Sequence, residues 1–282
     1  MSDSDRPGEI IPDGHAGAIV MSGGQPQSHV NLADPEDLGF EYIALMATTI
    51  ETHAVQHGAP RTITHVGGAG LSLPRWVQHR WPGAPQIVLE PDAALTDLVR
   101  QNLPLPRGHR IRVRPVDGRA GMRALADRSA AVVVMDAYAG GRVPADLTTD
   151  AWWADVARVL VPDGVLLANL ADEPGRTWTS RVIAGVVASG LTEVDLIGTH
   201  DILKGRRFGN LVMVARRPEV LESDELARAL TRASLPAGVR SVTTTAGGTS
   251  KPGQRTAYAT PFTDEDAQPS PEPPALGRWR AR

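Results

Sequence analysis

From Arg61 onward, short apolar runs alternate with stretches in which apolar residues recur at helical spacing. That alternation predicts strands over residues 62–66, 86–90, 110–115, 131–136, 165–170, 193–198 and 210–215. Between the first six lie predicted helices near 73–79, 93–101, 119–126, 149–160 and 176–189, and another amphipathic helix follows over 222–233. Strand, helix and strand repeated in this way imply a parallel sheet covered on both faces. The last two strands are joined only by Lys204-Gly-Arg-Arg-Phe-Gly209. No crossover helix fits there, so the last strand should run antiparallel. The expected fold is α/β: a doubly wound, seven-stranded, mostly parallel sheet with an antiparallel last strand.

Outside this block the pattern changes. Residues 1–14 are polar and read as a loose N-terminus. Residues 15–34 carry two short apolar stretches around Ser22-Gly-Gly24 and read as a short N-terminal β-hairpin. Residues 35–57 have helical spacing, with Asp34 placed as N-cap and Pro35 at the first helical position. A single domain is expected over 35–235. Residues 247–282 turn to Gly, Thr, Pro, Ser and acids. Such a composition buries too little apolar area to offset its ordering entropy, so a disordered tail is expected there.

Composition narrows the partners. The chain has 282 residues, is 41% hydrophobic and carries a net charge of −3. That balance argues against nucleic acid or an acidic membrane as a general partner. Cysteine is absent, which removes disulfides, thiolate metal sites and a cysteine nucleophile. The first residues form no apolar targeting segment, and no apolar run is long enough to span a bilayer. A cytoplasmic location is the expectation.

The candidate chemistry starts at the first predicted crossover. The strand ending at Val66 runs into Gly67, Gly68 and Gly70, and the next strand ends in Glu90. Glycines let the backbone approach a nucleoside, and an acid about twenty residues further on accepts from ribose hydroxyls. The G-x-G-x-x-G fingerprint is not met, because Leu73 stands at its third glycine. Asp117, followed by Gly118, and Asp136 fall after the third and fourth strands. With Glu90 they share one edge of a parallel sheet, where ligands bind. Asp117 could accept from an adenine amine or simply cap the next helix. Asp136 stands where a reacting group would lie.

These stretches resemble the spermidine synthase (polyamine aminopropyltransferase) family, which is built on the class I S-adenosylmethionine-dependent methyltransferase fold. The resemblance rests on Gly24-Gln-Pro-Gln-Ser28, Phe40-Glu-Tyr42, His65-Val-Gly-Gly-Ala-Gly70, Val88-Leu-Glu90, Asp117-Gly118, Val132-Val-Val-Met-Asp136 and Leu160-Val-Pro-Asp-Gly164. It covers roughly residues 16–215. It implies transfer of an aminopropyl group from decarboxylated S-adenosylmethionine to a diamine such as putrescine, without a metal. It also implies Glu90 at the ribose, Asp117 at the adenine, Gln27, Tyr42 and Tyr138 in the substrate pocket, Asp136 nearest the chemistry, and a homodimer paired through the N-terminal part. The chain departs from the family at Ala139, where the family has a second acid, and at Gly70, where it has an Asp that grips the aminopropyl ammonium. Ile43 and Ala44 replace a His and a Glu. These losses keep two alternatives open: a methyltransferase using intact S-adenosylmethionine, or a non-catalytic binder of an adenosyl ligand.

Other residues carry weaker signals. His53 and His57 have metal-ligand spacing but read as two surface histidines. His65 reads as packed or solvated, and His29 could line the pocket. Trp152 and Trp153 read as core. Asp146, Asp172 and Glu173 lie near the ligand edge. Lys204, Arg206 and Arg207 form either a solvated hairpin tip or an anion-binding lid.

Overall fold

The computed structural model describes residues 8–14, 16–218, 220–243 and 259–274. Its centre is an eight-stranded sheet built from β4 (Ile63–Val66), β5 (Gln86–Leu89), β6 (Ile111–Arg114), β7 (Ala130–Met135), β8 (Leu160–Asp172), β9 (Glu193–Gly198), β10 (Gly209–Arg216) and β11 (Gly238–Thr243). The order is β11-β9-β10-β8-β7-β4-β5-β6. Pairing is parallel from β8 through β7, β4 and β5 to β6. It is antiparallel where β10 inserts between β8 and β9 and where β11 joins β9. The antiparallel β10 matches the expectation set by its short preceding link.

Strand β11 is an addition to the seven strands expected. Its sequence, Gly-Val-Arg-Ser-Val-Thr, places Arg240 and Ser241 between two valines and so lacks a strand period. Its place in the sheet is marked by a polar contact, in which Ser241 donates to the buried carboxylate of Asp195. Asp195 also receives Arg216 at 2.7 Å and the hydroxyl of Ser223, so one acid ties β9, β10, β11 and the helix carrying Ser223 together. Removing one partner of such a buried pair would strand the other charge.

Helices cover both faces. On one lie α1 (Glu41–His57), α2 (Ser72–Arg80) and α8 (Ser223–Arg232), burying Met46, Ile50, Trp76, Val77, Leu226 and Leu230. On the other lie α4 (Gly118–Arg123), α5 (Asp150–Val159) and α6 (Thr177–Ala188), whose core includes Met122, Trp152, Trp153, Trp178 and Val182. Helix α3 (Ala93–Asn102) packs Leu95 and Val99 against the N-terminal strands, and α7 (His200–Leu203) is a single turn. Both faces of β4 and β7 are covered. All residues of these strands are buried, and β7 accordingly reads as a continuous apolar run.

The N-terminal region departs from expectation in two ways. The hairpin of β2 (Gly17–Ser22) and β3 (Gln25–Asn31) gains a third antiparallel strand, β1 (Glu9–Asp13), inside the segment expected to be loose. Residues 1–7 of that segment lie outside the described residues. Helix α1 starts at Glu41, not at Pro35. Gly39 holds φ +65°, and a Cβ there would meet the His29 ring at 2.4 Å, so the chain must turn before the helix can begin. Asp34 instead accepts from Glu36 N–H in that turn.

The tail expected to be disordered is ordered over residues 259–274; residues 244–258 and 275–282 lie outside the described residues. Phe262 is 1% exposed and joins the core beside Trp178. Composition averages over the segment, whereas one aromatic seated between α5 and α6 supplies the burial that orders it. The Phe262→Ala variant should lose about 3–5 kcal/mol of stability, read from the denaturant midpoint. A change below about 0.5 kcal/mol would show that the segment does not pack there.

Candidate functional site

The sheet order reverses between β7 and β4, and a cleft of about 620 Å³ opens at the carboxyl ends of β4, β5 and β7. Ligands of doubly wound sheets bind at such a switch point. The volume suits a nucleoside-sized ligand.

The glycine loop forms the floor. Gly67 has φ +88°, and a Cβ there would meet the carbonyl oxygen of Asp136 at 2.3 Å. Only glycine lets the end of β4 pass so close to the end of β7. Gly70 is enclosed by Ser28, Val20 and Val30 of the N-terminal sheet, each within 2.9 Å of where its Cβ would stand. An aspartate at this position therefore has no space. Gly70 N–H donates to Ser28 Oγ at 3.1 Å, and its carbonyl accepts from the buried Arg75. Arg75 also donates to the carbonyls of Leu103 and Pro104. With only neutral carbonyls as partners, its burial lowers its pKa to about 10.

Glu90, Asp117 and Asp136 line the cleft together. Glu90 Oε2 accepts from Gly68 N–H at 2.9 Å and Ala69 N–H at 3.3 Å, and Oε1 accepts from Asp92 N–H at 3.0 Å. The carboxylate thus shapes the glycine loop, and its further lone pairs are available to ligand hydroxyls. Asp117 Oδ1 caps α4 through Ala120 N–H at 2.8 Å, while the residue lines the cleft. Gly118 packs so tightly that a Cβ would meet Val66 at 2.5 Å.

Asp136 is held from two sides. Tyr42 donates its hydroxyl to Oδ2 at 3.2 Å, and Asn169 donates its amide to Oδ1 at 2.9 Å. Burial raises the Asp136 pKa to about 6, against the opposing pull of these two hydrogen bonds. Burial and the nearby Asp136 charge push the hydroxyls of Tyr42 and Tyr138 well above the usual phenol value. Tyr138 donates to the Asn169 carbonyl at 3.3 Å. Gln27, Tyr42 and Tyr138 all line the cleft. Asn169 was not singled out from the sequence. Its signal is a lone amide inside the apolar run Val165-Leu-Leu-Ala-Asn-Leu170.

Several weaker candidates take other roles. His53 is buried rather than on the surface, with Nε2 at 2.7 Å from the Asp163 carbonyl, and its ring stacks on His57. His29 lines a separate cavity with Asp13 and Asn31, not the cleft. His65 is buried against Gln86, and burial lowers its pKa to about 4, which keeps it neutral. Asp172 is consumed by accepting from Glu173 and Thr179 N–H groups around the start of α6. Lys204, Arg206 and Arg207 do not line the cleft, and Arg206 pairs with Asp201. Trp152 and Trp153 are fully buried core residues, as expected.

Comparison with known proteins agrees with this geometry. No protein-family model matches the chain. The polyamine aminopropyltransferase of Neisseria meningitidis serogroup A is 24% identical over 162 residues, 57% of this chain and 60% of that protein. The chain thus matches about 60% of the length of this curated relative. A probable spermidine synthase from Corynebacterium glutamicum superposes with a TM-score of 0.76 at 28% identity, over 83% of this chain and 86% of the other. A spermidine synthase in complex with the transition state analogue AdoDATO gives 0.58 at 15% identity, over 78% and 74%. Human methyltransferase-like protein 13 in complex with SAH gives 0.53 at 21%, over 68% and 90%. The sheet order and these neighbours show a class I methyltransferase-like fold. Within that fold the chain is similar in sequence to polyamine aminopropyltransferases and in structure to spermidine synthases.

The Asp136 cradle makes a direct prediction. Both of its hydrogen bonds favour the ionised carboxyl, so Tyr42→Phe and Asn169→Leu should each move its titration upward from about 6. Carboxyl ¹³C NMR of the variants would show it; a downward shift would contradict the cradle.

Proposed function

We propose that the protein transfers an aminopropyl group from decarboxylated S-adenosylmethionine to a diamine such as putrescine. One observation supports this most strongly. The cleft is lined by the acids Glu90, Asp92, Asp117, Asp136 and Asp146, and no Lys or Arg stands among the described residues that line it. A sulfonium carrying an aminopropyl ammonium, together with a diamine, suits such a wall. Intact S-adenosylmethionine would bring a carboxylate with no cation to meet it.

In this reading the glycine loop and Glu90 hold the adenosine half, with Asp117 toward the base. The acceptor nitrogen forms a bond to the aminopropyl carbon as the carbon–sulfur bond breaks. The electron pair stays on sulfur, and methylthioadenosine leaves. Asp136 takes the proton that the amine gives up, and Tyr42 and Asn169 keep its carboxylate aimed. A carboxyl titrating near 6 is ionised at neutral pH yet basic enough to accept that proton. Asp92 and Asp146 replace in charge, not in position, the acids lost at Ala139 and Gly70. No metal takes part.

The favourable setting is a cytoplasmic homodimer paired through the N-terminal sheet. That region exposes Ile11 and Leu32, and no described helix is long and apolar enough to cross a membrane. Light scattering should then give twice the chain mass of 30.0 kDa.

The decisive experiment titrates the protein with decarboxylated and intact S-adenosylmethionine and assays amine turnover. Tighter binding of the decarboxylated compound, with turnover, is expected. Preference for the intact compound would shift the assignment to methyl transfer, and binding without turnover of any amine would make the protein a non-catalytic binder. Turnover should rise with pH through a midpoint of about 6, as the Asp136 carboxyl loses its proton, and level above it. Asp136→Asn should lower kcat by at least about 10²-fold while methylthioadenosine affinity stays nearly unchanged. Glu90→Ala should weaken that affinity by about tenfold or more.

A further inference from the structure

We propose that residues 259–274 form a strap that fixes the outer wall of the cleft and holds Arg142 out of it, making Ser270 a positioning residue. This deepens the reading of the cleft as a site for cationic substrates, and rests on it.

The wall in question is the loop after β7, where Ala137, Tyr138, Ala139, Gly140, Gly141 and Pro144 line the cleft. Its tip is a tight turn. Ala139 and Arg142 exchange backbone hydrogen bonds, and Gly140 and Gly141 both have positive φ, as a two-residue primed turn requires. Among the described residues, no hydrogen bond from Gly140 or Gly141 ties the turn to the rest of the domain. The strap does so. Ser270 N–H donates to the Val143 carbonyl at 3.1 Å, and Val143 N–H donates to Ser270 Oγ at 3.0 Å. Both residues are fully buried, so neither bond has water as a substitute. Pro273 lies against Gly141 at the turn's tip.

The other end of the strap is anchored in the domain. Phe262 sits in the core with the Arg181 guanidinium 3.9 Å above its ring. Asp150 N–H donates to the Phe262 carbonyl, and Trp178 Nε1 donates to the Gln268 carbonyl at 2.9 Å. Asp264 pairs with Arg119 on α4, and Asp266 pairs with Arg181 on α6. Helices on one side of the cleft are thereby connected to the loop that closes it.

Arg142 gives the strap its chemical consequence. It is the one Lys or Arg between Asp136 and Asp150. Its Nε donates to the Ser270 carbonyl, and Nη2 reaches toward the Pro269 carbonyl at 3.5 Å. The guanidinium is thus turned onto the strap while its neighbours Gly140 and Gly141 face the acidic cleft. Released, it would compete with cationic substrates for those acids.

The test uses the full chain carrying Ser270→Ala, which leaves Phe262 and both ion pairs in place. Amide hydrogen exchange at residues 139–143 should speed up by about fivefold or more, with β4 and β7 unchanged. At low salt, affinity for decarboxylated S-adenosylmethionine should fall by about fivefold, affinity for neutral methylthioadenosine should fall less, and KM for the amine should rise more than kcat falls. Adding Arg142→Gln should restore most of the lost affinity for the cationic compound. Asp266→Ala, at an exposed strap position, should act in the same direction should Ser270→Ala fail to fold. Unchanged exchange in the loop, faster exchange with unchanged affinity, or no recovery on adding Arg142→Gln would each overturn the proposal. If the wild-type protein binds neither adenosyl compound, the aminopropyl reading falls, and exchange at Val143 still decides whether the strap fixes the loop.

Discussion

A carboxylate placed at the buried end of β7 is the constraint around which the site is arranged. Burial raises the Asp136 pKa from 3.8 to about 6, a shift worth roughly 3 kcal/mol. A raised carboxyl pKa stabilises the fold fully below the unfolded value, and that contribution is lost as pH rises through the folded value. At neutral pH the fold therefore carries Asp136 at a cost of this order. Tyr42 and Asn169 keep it from being larger by donating to the two oxygens, and they do so from α1 and β8. Helix α1, β7 and β8 are thus brought to one point by the needs of a single charge. Acids that carry such a cost at a sheet's ligand edge are more often functional than structural.

The neighbouring acids are held by backbone donors. Glu90, Asp92 and Asp117 each accept from backbone N–H groups at a loop or helix start. Donors of this kind stabilise negative charge without adding a cation that would compete for the ligand. The cleft can therefore remain acidic and shaped at once. Arg75 shows the complementary choice: a buried guanidinium beside the glycine loop spends its donors on carbonyls and reaches none of these acids.

Much of this was legible in the sequence because it depends on period and order. Buried central strands give apolar runs, and the acids following them must share an edge. Glu90, Asp117 and Asp136 were placed in this way. Asn169 was not, because a single amide in an apolar strand signals a partner without naming it. The start of α1 was misplaced because Asp34-Pro35 satisfies local capping rules, whereas the His29 ring that forces the turn at Gly39 comes from another strand. The burial of His53 likewise depends on the Asp163 carbonyl, over a hundred residues away. Strand β11 escaped because Asp195, and not apolar alternation, holds its serine in place.

Residues 259–274 show the same limit from the side of composition. A segment rich in Pro, Ser and acids lacks the apolar area to fold alone, and that inference holds for the segment in isolation. Docking changes the balance. Phe262 sits in the core with its ring beside that of Trp178. Once Phe262 is anchored, the following residues search only a small volume, so ion pairs and hydrogen bonds that would be too weak to order a free chain suffice to order a tethered one. Two of the acids that contributed to the expectation of disorder become the groups that hold the segment to Arg119 and Arg181. Ser270 then reaches Val143 at a wall of the cleft that no local pattern in the tail could have indicated.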